Sequence, residues 1–166
     1  MAKTTIKNIY GKRLRRCRKK HTRKNKNKGS WDSYGFCSEM DGGVHQICFK
    51  VNDATKDFSK KTFQPDWSSD RLHHNHCMCL GAWALYKARQ NKHDIKKTNN
   101  ELVCDAIPET ALHPRYIATW NHWNHHEEED QILDGIKALY NQCYKKGTPR
   151  EKRYLARLYK KLIKLL

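Results

Sequence analysis

The feature that most restricts what this chain can fold into is the partition of its charge. Residues 1–28 carry 13 Lys and Arg and no acid, residues 145–166 carry nine against Glu151 alone, and 12 bases and 16 acids remain for 29–144. The formal net charge of +17 therefore belongs to the two ends, while the middle is mildly acidic. In residues 1–28 only Ile6, Ile9, Tyr10 and Leu14 offer apolar surface, too little to offset chain entropy. Residues 1–30 are thus expected to form a basic arm, and the folded core must come from the middle. A chain of 166 residues with 37% hydrophobic content supports one domain plus extensions. The layout is that of a core docked to something anionic through its ends.

Residues 31–116 read as a small α+β core. Asp41-Gly42-Gly43 forms a turn, and the alternation from Val44 to Val51 predicts a strand. Asn52 or Asp53 caps a short helix running through Lys61, and 62–72 form a loop. Cys77 to Gln90 reads as a helix with Leu80 and Trp83 inward. Residues 91–100 connect it to a second strand candidate, Leu102–Ile107, and Pro108–Leu112 make a helical turn.

Residues 117–166 read as an antiparallel helical hairpin whose last helix is basic. Glu127-Glu128-Glu129-Asp130 open the first helix, where acids favour its dipole, and Gly147 closes it. Thr148-Pro149-Arg150-Glu151 is a capping box with proline at the first helical position. The last helix then carries Tyr154, Leu155, Leu158, Tyr159, Leu162 and Leu166 on one face and Lys or Arg on the other. That arrangement suits either a packed cap or a helix laid on another protein, a polyanion or a membrane surface.

The chemistry-bearing residues are concentrated in His73-His74-Asn75-His76-Cys77-Met78-Cys79 and in His45-Gln46-Ile47-Cys48. His45, Cys48, Cys77 and Cys79 could supply four zinc ligands, although Cys-x-Cys is not a usual zinc-knuckle spacing. Cys77 and Cys79 could alternatively form a thiol redox pair, and the bland alternative is buried cysteines beside polar surface histidines. The expectation is no cofactor, with zinc as the alternative. His122, His125 and His126 form a second cluster. The first residues are basic with no apolar run after them, so the protein is expected not to be secreted and its seven cysteines to stay mostly reduced. No apolar stretch reaches membrane-spanning length. The phosphate-binding loop, the dinucleotide fingerprint and the G-x-S-x-G elbow are missing from the sequence.

Asp41-Gly42-Gly43-Val44-His45-Gln46-Ile47-Cys48 resembles the D-x-G-x-H-x-V-C stretch of a small family of uncharacterised, mainly bacterial proteins. Asp53 with Phe58-Ser59-Lys60 is similar to its D-x-x-x-x-F-S-K, and Cys77-Met78-Cys79-Leu80-Gly81-Ala82-Trp83 to its C-L-C-A-x-R-W. Leu102 to Leu112 is similar to its V-V-L-E-A-T-H-E-x-A-L. The likeness spans about 35–113. Here His76 stands where the family has Trp and Ala82 where it has Arg, and the loop before C-L-C is shorter. The resemblance implies a fold unit without a known reaction and ranks His45, Cys48, Cys77 and Cys79 as its site.

The functional expectation is a non-enzymatic structural or interaction protein held in a large assembly by its basic ends. The whole chain resembles minor capsid or virion proteins of large DNA viruses, acting in the virion or inside the cell. The alternative is a sequence-independent DNA- or RNA-binding protein, and the third reading is a zinc or thiol-redox domain. Binding to nucleic acid or protein subunits is expected from Lys12, Arg13, Arg15, Arg16, Arg18, Lys19, Lys20, Arg23 and Lys24 in the arm. In the last helix it is expected from Arg153, Arg157, Leu158, Lys161 and Leu162.

Overall fold

The computed structural model describes residues 5–18, 34–37, 45–91, 95, 98, 100–115 and 131–165. Among the described residues the fold is mixed α+β: a two-stranded antiparallel sheet, β1 (Ile47–Lys50) and β2 (Asn75–Met78), with four α-helices bounded at both ends. These are α1 (Phe58–Lys61), α2 (Leu80–Asn91), α3 (Gln131–Lys146) and α4 (Pro149–Ile163). Short 3-10 turns cover Ser69–Arg71, Cys104–Ala106 and Glu109–Leu112.

β1 forms within the predicted strand, but its alternation does not separate core from solvent, since Ile47, Cys48 and Phe49 are all fully buried. Both faces are covered. On one, the Phe49 ring meets Trp83 and Tyr86 of α2 edge-on, at 6.1 and 5.1 Å between centroids. On the other, Cys48 is bonded to Cys17 of the N-terminal segment. Both edges of β1 are engaged as well. β2 pairs along one, and along the other Lys50 N donates to Glu101 O and Val103 N to Cys48 O. The expected strand Leu102–Ile107 is thus reduced to a bridge at Leu102 followed by a 3-10 turn. The expected helix from Cys77 instead starts at Leu80. Cys77 belongs to β2, because its backbone pairs with Cys48, and Cys79 Sγ accepts the Ala82 amide at the helix entrance.

The C-terminal hairpin matches the sequence closely where it is described. The Thr148 side chain accepts from Glu151 N while Glu151 accepts from Thr148 N, which closes the capping box, and Pro149 opens α4. The acidic run Glu127–Asp130 and His122, His125 and His126 lie outside the described residues. α3 crosses α2 at Gly135, whose carbonyl accepts from Trp83 Nε1 at 2.7 Å. A Cβ on Gly135 would lie 2.9 Å from the Ala84 backbone, so only glycine permits this approach. Beside the crossing the buried Glu101 carboxylate accepts from Tyr86 Oη and Gln142 Nε2, and Gln142 Oε1 accepts the Leu102 amide. These bonds satisfy polar groups that burial would otherwise leave unpaired.

The largest departure concerns residues 5–18. They do not form a free-standing arm: Ile9 and Leu14 are buried, and Ile9 N donates to Ile107 O while Arg15 N donates to Asp105 O. A tight hairpin, bridged Lys7 to Arg13, is organised by Asn8. Its Oδ1 accepts the Tyr10 and Lys12 amides, and its Nδ2 donates to Asp105 O. Tyr10 Oη donates to the Cys143 carbonyl at 2.7 Å, anchoring the hairpin on α3. A few well-placed apolar residues and one asparagine therefore dock a segment that overall charge marks as unfoldable.

Candidate functional site

Docking of the hairpin brings together the two basic segments that lie at opposite ends of the sequence. Gly11, at φ +74°, lies flat against the Tyr154 ring of α4, where a Cβ would approach to 2.6 Å. Arg157 sits over the same ring, 5.6 Å from its centroid. Lys12 Nζ reaches Glu151 at 2.6 Å, at the first turn of α4. The outer face of α4 is lined by exposed Arg153, Arg157, Lys160, Lys161 and Lys164, with Lys12, Arg13, Arg15 and Arg16 exposed on the hairpin side. Two hairpin cations are partly neutralised at home, Lys12 by Glu151 and Arg15 by Asp105 at 3.4 Å. Arg16 lies over the Phe36 ring. Arg18 is half-buried, and Lys19, Lys20, Arg23 and Lys24 lie outside the described residues.

The apolar face of α4 turns inward. Leu162 is 1% exposed and Leu155 fully buried, with Leu158 and Tyr159 packed against the core. Most of the Leu162 side chain is thus taken up by the protein's own core, and what remains of it forms part of the wall of a groove. This groove of about 380 Å³ is lined by Leu112, Pro114, Leu158, Lys161 and Leu165 among others, with Leu165 60% exposed.

The expected quartet His45, Cys48, Cys77 and Cys79 is split by the sheet. Strand alternation sends Cys48 and its register partner Cys77 to one face and His76 to the other. There His45, His76 and Cys79 line a cavity of about 210 Å³ with Gln64, Trp67 and Arg71. The His76 ring stacks on Trp67 at 4.5 Å, and burial, with Arg71 nearby, holds it well below the usual imidazole range, hence neutral. Cys79 is a free, buried thiol pushed up to about 11 by desolvation, the opposite of a redox-active cysteine.

The expectation of reduced cysteines also fails in this form of the protein. Six of the seven are paired, Cys17–Cys48, Cys37–Cys77 and Cys104–Cys143, so Cys77 does not pair with Cys79. Of the three pairs only Cys17–Cys48 involves the docked N-terminal segment, and a reading of that segment as a loose arm does not anticipate it; the other two join Cys37 to β2 and Cys104 to α3. Cys17, Cys37 and Cys48 have sulfur atoms within 4.8 Å of one another. Sequence spacing could not reveal this, since Cys17 and Cys37 lie in separate loops. Tyr154, which joins hairpin to helix, was likewise legible only as a core residue.

No family model, curated protein or solved structure matches the chain. Among the described residues no helix is long and apolar enough to cross a membrane.

Proposed function

We propose that the protein is a non-enzymatic binding component that lays the joined basic surface of the 5–18 hairpin and α4 on nucleic acid, without regard to sequence. The observation that carries this reading is the convergence of hairpin and last helix on Tyr154, which turns two charged ends into one cationic surface. Exposed lysines and arginines on a helix face and an adjoining turn neutralise phosphates and release counterions, and they read no base edges. The likeness of residues 35–113 to the small family named above belongs to the same proposal, with the core as scaffold and the basic ends as the functional part. The binding surface calls for no cofactor; among the described residues, a place for zinc arises at the buried sulfur cluster.

The test is fluorescence anisotropy with two duplexes of unrelated sequence. Equal affinities are expected for both, falling by at least about 1,000-fold between 50 and 200 mM salt if roughly six phosphates are contacted. Undetectable binding at 50 mM salt would refute the proposal. A second reading, a minor capsid or virion component held by protein neighbours, draws on the groove beside Leu158 and exposed Leu165. It predicts an assembly that resists salt and is lost on Leu165→Asp, a change that leaves DNA binding in place. Both readings put the protein at work in a virion or inside a cell.

A further inference from the structure

The geometry points to a tetrathiolate zinc site formed by Cys17, Cys37, Cys48 and Cys77, which replaces the two disulfides when the protein is reduced. Three of the sulfurs lie within 4.8 Å of one another and the fourth, Cys77, is bonded to Cys37. All four residues are at most 3% exposed. A ZnS4 tetrahedron with Zn–S near 2.3 Å has sulfur–sulfur edges of roughly 3.8 Å, so the three clustered sulfurs need only small movements, and Cys77 Sγ, once released from Cys37, must turn toward Cys17 and Cys48 to complete the set.

The scaffold suits a structural site. Cys48 and Cys77 face each other in register on β1 and β2, which fixes two ligands on a rigid sheet. The other two come from loops tied to each other, since Cys17 N and Arg18 N both donate to Gly35 O. Asn75 of β2 holds the Cys17 carbonyl at 2.8 Å. A zinc tetrathiolate carries a charge of about −2, and cations are at hand to offset it. Arg16 and Arg18 flank Cys17, and Arg16 lies over Phe36, the residue before Cys37. In a reducing compartment the disulfides would not persist, and three clustered buried thiols with a fourth, Cys77, in register with Cys48 across the sheet are a ready ligand set.

The interconversion balances. Each disulfide accepts two electrons and two protons from a dithiol, which closes to its own disulfide. The four thiols then release four protons as Zn2+ binds. In reverse, two hydrogen peroxide molecules take four electrons from the thiolates and four protons from solvent. They become four waters, Zn2+ is released, and Cys17–Cys48 and Cys37–Cys77 re-form.

The full chain, purified under a dithiol without chelator, should carry about one zinc per molecule. Peroxide should expel it, and Co2+ in its place should show thiolate charge-transfer absorption. Cys48→Ser and Cys77→Ser should lose most of the metal, whereas Cys79→Ser and the Cys104→Ser, Cys143→Ser double variant should keep it. Should the strand variants misfold, Cys17→Ser and Cys37→Ser, on loops, should keep the fold by circular dichroism and weaken the cobalt charge-transfer band. A reduced chain holding less than about a tenth of a zinc overturns the proposal, whether that chain is folded or not. So does full occupancy in the variants of all four cysteines.

Discussion

Replacing Ile9 by alanine tests the claim that the N-terminal segment is core and not arm. Ile9 is fully buried, and its amide bonds the Ile107 carbonyl. The substitution removes three carbons, a transfer loss of about 2.4 kcal/mol at about 0.8 kcal/mol each. The bonds that pin the backbone on either side, Asn8 Nδ2 to Asp105 O and Tyr10 Oη to Cys143 O, limit collapse around the gap, and a cavity contribution raises the cost to about 3–4 kcal/mol. The assay is urea unfolding under non-reducing conditions, so that the cross-links stay the same in both proteins. With a slope of about 2 kcal/mol per M, the midpoint should fall by roughly 1.5–2 M. Ile6→Ala, at a side chain 39% exposed, is the control and should cost less than about 1 kcal/mol. If the two variants unfold at the same urea concentration, the hairpin is not part of the cooperative core and the joined basic surface loses its foundation.

Three further outcomes follow from individual contacts. Glu151 is held down to about 2, first by its bond with Lys12 and then by the Thr148 amide, from an ordinary 4.5. The stabilisation is therefore complete above about pH 4.5 and is lost as pH falls toward 2, and Glu151→Gln should remove this component from a pH series of unfolding. Gly135→Ala improves helix propensity by about 0.5–1 kcal/mol, yet its Cβ would meet the Ala84 backbone at 2.9 Å. The clash dominates, so thermal unfolding should show a net destabilisation of about 1–3 kcal/mol. Cys79, buried and pushed up to about 11, should react with an alkylating agent at pH 8 only after unfolding, as mass spectrometry of the non-reduced protein would show.

What could be read in advance was local. The capping box at Thr148 and the turn at Gly147 depend on a few neighbouring residues and appear where expected. The strand at Ile47–Lys50 was visible in its alternation, but burial of both faces was not, because the covering residues lie in α2 and near Cys17. Cys77 reads as helical in the sequence because His76-Cys77-Met78 is as compatible with one period as the other, and only pairing with β1 decides. The hairpin is hidden in the sequence for a related reason. Composition weighed 13 cations against four apolar residues, whereas docking depends on where Asn8, Ile9 and Tyr10 sit and not on the average. The sulfur cluster and the Gly11–Tyr154–Arg157 stack are long-range consequences of that docking.

The most direct measurement is the slope of log Kobs against log salt for random duplex DNA, in four proteins. These are the wild type, a hairpin variant (Arg13→Gln, Arg16→Gln), a helix variant (Arg153→Gln, Arg157→Gln, Lys161→Gln) and their combination. Each phosphate contact contributes about 0.9 to the slope, so the variants should flatten it by up to roughly 1.8, 2.7 and 4.5, with the losses adding. Additive flattening is what one surface on one ligand requires. A slope unchanged in the helix variant or in the hairpin variant would show that the two basic ends do not act together, and the account would fail.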